Sequence, residues 1–207
     1  MILLNQMTSA VLQLLIFTSI PFLWYLFTQK RIRGFFQWLG IRTAPKPPVR
    51  IMICILTGFF VTLFLPYLWL YQAGNLNYQG FTFDAFRQTG WSVQTWSVIL
   101  IWAVIQTSLS EEIMFRGFLC KRFCAKLGEK TGNIVQAVIF GMVHISALPD
   151  KNIFAIGIIV LLTGGIGYAL GWLSLKKAQG SILYGWAIHA TVNIISPVLV
   201  FAFLLPN

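Results

Sequence analysis

The sequence predicts an all-α, polytopic membrane helix bundle of about six transmembrane helices, and three observations carry that prediction. Apolar runs long enough to span a bilayer recur along a 207-residue chain that is 57% hydrophobic and only 10% charged, with a mean hydropathy of +0.77. No soluble domain of this size needs so many long apolar runs. The basic residues fall between the runs, on alternate sides of the expected membrane, as the positive-inside rule requires. Read this way the chain is one membrane domain. Residues 1–92 supply two spans and interfacial segments, and residues 93–207 supply a helical core.

The first run, about Thr8 to Thr28, carries no charge, and Lys30, Arg31 and Arg33 follow it. A cleaved signal peptide has its basic residues in front, so a retained span with an outer N-terminus is expected. Gln29 to Arg50 is basic and holds Phe35, Phe36, Trp38, Leu39 and Ile41 before the stiff Pro45-Lys46-Pro47-Pro48 stop. That pattern predicts a short interfacial helix on the cytoplasmic leaflet, a basic loop with anionic lipid as partner. The second run, about Ile51 to Tyr71, ends in a belt of Tyr67, Trp69 and Tyr71. Gln72 to Ser92 is rich in Gly, Asn and Gln, with Phe81, Phe83, Phe86 and Trp91, and reads as a loop at the outer interface.

The third run starts near Val93, passes through Glu111 and Glu112, and leaves the membrane at Lys121, Arg122 and Lys126. After a turn at Gly128 to Gly132, the fourth covers about Asn133 to Leu148 and stops at Pro149-Asp150-Lys151. Gly157, Gly164, Gly165, Gly167 and Gly171 stud the fifth, about Ile153 to Leu175. Such small residues let membrane helices approach closely, so packing is their expected role. The sixth, about Ser181 to Leu205, contains Pro197, an expected kink.

Of the 15 basic residues, all but Arg87 and Lys151 lie on one side of this arrangement. The net charge of +10 is therefore a topology signal, and no basic patch interleaved with aromatics points to nucleic acid. Three scattered cysteines, Cys54, Cys120 and Cys124, make no disulfide framework and no Cys-x-x-Cys pair. No tandem repeat supports a repeat-built transporter.

Chemistry concentrates in the stretch Ser108 to Leu119, where Glu111 and Glu112 enter an apolar helix. An acidic residue at a helix centre costs about 2.5–3.5 kcal/mol on insertion scales, so the pair requires partners or water. Arg116 lies one helical turn beyond Glu112, so those two are expected to pair, while Glu111 points about 100° away. Both histidines of the chain, His144 and His189, also fall inside expected spans. Counting ~1.5 Å per residue puts Glu111 and His189 about 12 Å deep and His144 roughly 15–20 Å deep, near one level open to the cytoplasmic side. Asn193 follows His189 by one turn, and Phe140 precedes His144 by one turn. A carboxylate, two imidazoles and a carboxamide in a partly dry cavity form a hydrolytic site: a base for water, a proton shuttle and oxyanion donors.

Glu111-Glu112-x-x-x-Arg116, Phe140-x-x-x-His144 and His189-x-x-x-Asn193, in this order on three hydrophobic segments, resemble the three-motif pattern of the CAAX-protease and bacteriocin-processing (CPBP) intramembrane proteases. That family includes the Rce1-type prenyl-protein endopeptidases. The resemblance covers about Trp96 to Leu205. It implies a membrane-embedded endopeptidase acting on a peptide or membrane-protein substrate, in which Glu111 and His144 activate water and His189 and Asn193 hold the oxyanion. Glu112, Arg116 and Phe140 support the site.

Zinc held by Glu111, His144 and His189 is the metal alternative, but no His-Glu-x-x-His helix is present, and the resemblance favours a metal-free glutamate mechanism. The expected location is the plasma (inner) membrane, multi-pass, with the active site open to the cytoplasm. Two other classes compete. One is a non-proteolytic immunity or scaffold protein, and the other is a proton-coupled transporter, since intramembrane carboxylates and histidines also mark proton relays.

Overall fold

The computed structural model describes residues 1–44, 46, 48–72, 80–148 and 152–203. The expected stops at Pro45 and Pro47 and at Pro149-Asp150-Lys151, the first part of the 72–92 connection, and the end of the last span at Leu204 and Leu205 lie outside the described residues. So do the side chains of Tyr67 and Tyr71.

Helices follow one another with no strand among the described residues. They are α1 (Ile2–Gln29), α2 (Phe35–Leu39), α3 (Val49–Gln72), α4 (Phe81–Thr89), α5 (Val93–Leu127), α6 (Glu129–Val143), α7 (Ile153–Lys177) and α8 (Leu183–Phe203). The long helices α1, α5, α7 and α8 are apolar enough to cross a membrane, and α3 contributes a shorter apolar stretch, Val49–Thr62. The expected fourth span is α6, extended by a 3-10 turn at His144–Ala147. An all-α polytopic bundle is therefore what the chain forms.

Local chemistry places the helix ends. Ser92 caps α5 by accepting from the Thr95 amide at 3.2 Å, and Asn152 caps α7 by accepting from Phe154 at 2.9 Å. Lys30 takes the left-handed conformation that ends α1.

Two compact units are assembled from separated stretches: Met1–Phe35, Tyr78–Met114 and Trp186–Asn207 in the first, Phe36–Asn77 and Phe115–Gly185 in the second. The chain passes from the first unit to the second within α5, between Met114 and Phe115.

In the first unit the aromatic connection differs from expectation. Phe81–Thr89 is helix, not loop: Thr82, Ala85 and Phe86 are buried, at the spacing of one helical face, between Gly80 and Gly90. Asp84, Arg87 and Gln88 lie on the opposite face and lower the run's mean hydropathy. The Phe86 ring stacks on Phe201 of α8 at 4.3 Å, and Phe83 meets Phe201 edge-on at 5.1 Å.

In the second unit α6 and α7 pack through glycines, antiparallel. A Cβ on Gly141 would lie 2.5 Å from the Val160 carbonyl, one on Gly164 would lie 3.1 Å from that of Ala137, and one on Gly167 would lie 3.0 Å from Phe140 Cδ1. Gly157 and Gly165 face open space. The packing role expected of the α7 glycines thus belongs to Gly164, Gly167 and Gly171. The segment expected at the interface contains the five-residue helix α2, in which Leu39 is buried and Phe36 is 62% exposed.

Candidate active site

The stretch that carries the carboxylates is not an ordinary α-helix. Ile101–Leu109 and Glu112–Cys120 are π-helical, so i+5 bonding widens the turn and the four-residue spacing no longer sets which side chains align. The Thr107 hydroxyl donates to the Trp102 carbonyl at 2.9 Å, five residues back, and Trp186 Nε1 donates to the Val104 carbonyl at 2.8 Å.

Within the first unit this segment meets α8. Nδ1 of His189 donates to Glu112 Oε1 at 3.3 Å, and Nε2 of His189 lies 3.7 Å from Glu111 Oε2. Both ring nitrogens therefore face carboxylates. The Glu112 side chain is completely buried, whereas that of Glu111 retains 15% exposure. The Glu111 oxygen that faces His189 is itself buried, and His189 is a partner the four-residue spacing does not reveal.

Asn193 Nδ2 donates to Thr107 Oγ1 at 2.9 Å and to Ser108 Oγ at 3.2 Å. Thr107 and Ser108 are participants that sequence reasoning missed.

A second missed set ties α1 to α5. Gln6 donates to Gln106, Gln106 Nε2 donates to Gln13 Oε1 at 3.2 Å, and Gln13 Nε2 donates to Ser110 Oγ at 3.4 Å, next to Glu111. Glutamines seven residues apart in an uncharged span were the visible clue, since such amides bond between helices in lipid.

The second unit holds the other motif residues. Phe140 is 2% exposed. Arg116 Cζ lies 4.2 Å above its ring centroid, the Phe115 ring meets it edge-on at 4.9 Å, and the His144 ring is 4.6 Å away. Arg116 itself is 1% exposed, so a buried guanidinium rests on an aromatic face.

His144 Nδ1 bonds the Phe140 carbonyl at 2.7 Å. A carbonyl can only accept, so Nδ1 carries a proton and any lone pair of the ring is on Nε2. Within the first unit Glu111, Glu112 and His189 are brought together and Asn193 bonds to α5; within the second, Arg116, Phe140 and His144 meet.

Among the described residues no group of three or more His, Cys, Asp or Glu side chains is arranged to hold a metal ion.

No curated protein and no solved structure matches the chain. The family model described as type II CAAX prenyl endopeptidase Rce1-like matches residues 93–195, a stretch that includes all three motifs. The chain belongs to that Rce1-like family of proteases, as an integral membrane protein.

Proposed function

We propose that the protein is an intramembrane endopeptidase that hydrolyses a peptide bond in a membrane-proximal or C-terminal segment of a peptide or membrane-protein substrate. In this reading it works from the cytoplasmic side of the plasma (inner) membrane, without metal. The observation that carries the reading is the 3.7 Å approach of Glu111 Oε2, on a side chain that keeps 15% exposure, to His189 Nε2. Membership of a protease family supports it.

Glu111 takes a proton from water as the hydroxide oxygen bonds to the substrate carbonyl carbon. The same proton then goes to the departing amide nitrogen as the C–N bond breaks. His144, with its Nε2 lone pair, is assigned a share in activating water. The N–H groups of His189 and Asn193 are assigned to the oxyanion, Asn193 exchanging one of its hydroxyl bonds for it. Glu112 fixes His189 through Nδ1, and Arg116 on Phe140 supports the segment.

The test is cleavage of a broad peptide mixture by the purified protein in lipid, read by mass spectrometry. Defined cuts that vanish in Glu111→Gln and survive a zinc chelator agree with this reading. Cuts abolished by the chelator would replace it with metal catalysis, and cuts that persist in Glu111→Gln would remove Glu111 from the mechanism.

A further inference from the structure

We infer that the second unit holds a built seat for the phosphodiester headgroup of an anionic phospholipid, formed by Arg42, Lys121 and Arg122 around Trp38. The chain makes it by crossing two tight turns. Gly40 and Gly180 both have left-handed φ, +95° and +81°, and a Cβ on Gly40 would lie 2.1 Å from the Gly180 carbonyl, so only glycine fits there. Ile182 N donates to the Gly40 carbonyl at 2.9 Å, and the Tyr184 hydroxyl accepts from Ala44 N at 2.9 Å. The crossing is therefore fixed at several points.

The cations are fixed with it. Lys121 Nζ donates to the carbonyls of Trp38 at 3.2 Å and Leu39 at 2.8 Å, and Arg42 Nη2 donates to the Gln179 carbonyl at 2.6 Å. Lys121 Nζ and Arg42 Nη2 lie 3.9 and 3.8 Å from the point that a Cβ on Gly180 would occupy, so less than the sum of those distances separates them. Arg122 Cζ lies 4.6 Å above the Trp38 ring, and its buried Nε has no hydrogen-bond partner among the described residues.

Held by carbonyls and a ring alone, the three like charges repel one another and retain unused donors. Of the chain's five acidic residues, Glu129 is the one described in this unit, and it pairs with Lys176. No carboxylate among the described residues of this unit neutralises the three cations, and an external anion would.

Position selects a lipid. Lys121 lies six residues, about 9 Å, inside the Leu127 end of α5, comparable with the thickness of the headgroup layer. Phe36, two residues before Trp38, is 62% exposed, an apolar anchor beside the cations. The inference rests on the membrane orientation proposed above and not on its chemistry.

The test is native mass spectrometry of the full chain released from nanodiscs containing equal phosphatidylglycerol and phosphatidylcholine of matched acyl chains. Wild type is expected to retain phosphatidylglycerol at least tenfold over phosphatidylcholine. Arg42→Gln with Arg122→Gln is expected to lose that preference, while Arg42→Lys with Arg122→Lys keeps it. Lys126→Gln with Lys130→Gln removes the same charge nearby and is expected to leave it intact.

Absence of a preference in wild type would overturn the inference, as would equal loss in both Gln pairs. Displacement of the lipid by millimolar inorganic phosphate would overturn the assignment to lipid. If the double Gln variant fails to fold, judged by circular dichroism, the single Arg122→Gln variant decides in its place, because its Nε bonds nothing that folding requires. None of these readouts uses cleavage, so a failed lipid seat and a failed protease reading are told apart.

Discussion

A methyl group added at Gly171 of α7 should loosen the second unit, and the size of the effect follows from its surroundings. The new Cβ would lie 2.0 Å from Asn133 Oδ1 and 2.9 Å from both Asn133 Cγ and Gln136 Nε2. Those amides clamp α6 to α7: Asn133 Nδ2 donates to the Tyr168 carbonyl at 2.9 Å, Gln136 Nε2 donates to the Gly167 carbonyl at 2.8 Å, and Gln136 Nε2 also donates to Asn133 Oδ1 at 2.8 Å. Room for the methyl requires Asn133 to move by more than an ångström, which breaks at least the Tyr168 bond. Interhelical hydrogen bonds in lipid contribute about 0.6 kcal/mol each on average, and overpacking costs about 1–3 kcal/mol. Less the roughly 0.5–1 kcal/mol by which the exchange favours a helix, Gly171→Ala should therefore destabilise by about 1–3 kcal/mol. Gly165→Ala is the internal control, since nothing lies within 4 Å of its Cβ and the exchange favours the helix by roughly 0.5–1 kcal/mol. Unfolding of both variants in one detergent, followed by circular dichroism, compares them directly. Equal stability of the two would refute the assignment of Gly171 to the packed face.

Three more outcomes are expected. Glu112→Gln keeps the shape and an acceptor for His189 Nδ1 but loses the charge-assisted part of that bond, so kcat should fall about tenfold with KM unchanged, measured on a peptide cleaved by wild type. Thr107→Val removes one acceptor of Asn193 and should lower kcat about 3–30-fold without changing the thermal midpoint, if Asn193 is held for catalysis and not merely for packing. Gln106→Leu strands Gln6 and Gln13 of α1 and should destabilise the chain by about 1–3 kcal/mol in detergent unfolding, a cost that Gln13→Leu in the same background should partly relieve.

The bundle and its motifs are readable from sequence because each depends on local spacing. Apolar runs and loop charges place α1, α5, α7 and α8, and the four-residue spacings pick out Phe140 with His144 and His189 with Asn193. What sequence hides depends on tertiary packing or on departures from the regular period. The π-helical turns on either side of Ser110 and Glu111 shift which residues align, and no α-helical wheel shows His189 reaching both carboxylates. Asn193 bonds Thr107 and Ser108 because α8 packs on α5 within the first unit, a juxtaposition that motif spacing along one segment does not contain. Phe81–Thr89 is helical despite its polar composition because Thr82, Ala85 and Phe86 find a buried face. Gly157 and Gly165 resemble Gly167 and Gly171 in sequence, and only the neighbouring α6 separates spacers from contacts.

The central claim is that Glu111 activates the water that cleaves the peptide bond. Single-turnover cleavage of one defined peptide by wild type and Glu111→Gln in lipid, with substrate binding measured on both, tests it most directly. The account predicts a loss of about 10²–10⁴-fold or more in the cleavage rate, with binding kept within a few fold. A Glu111→Gln protein that cuts within tenfold of wild type would contradict it.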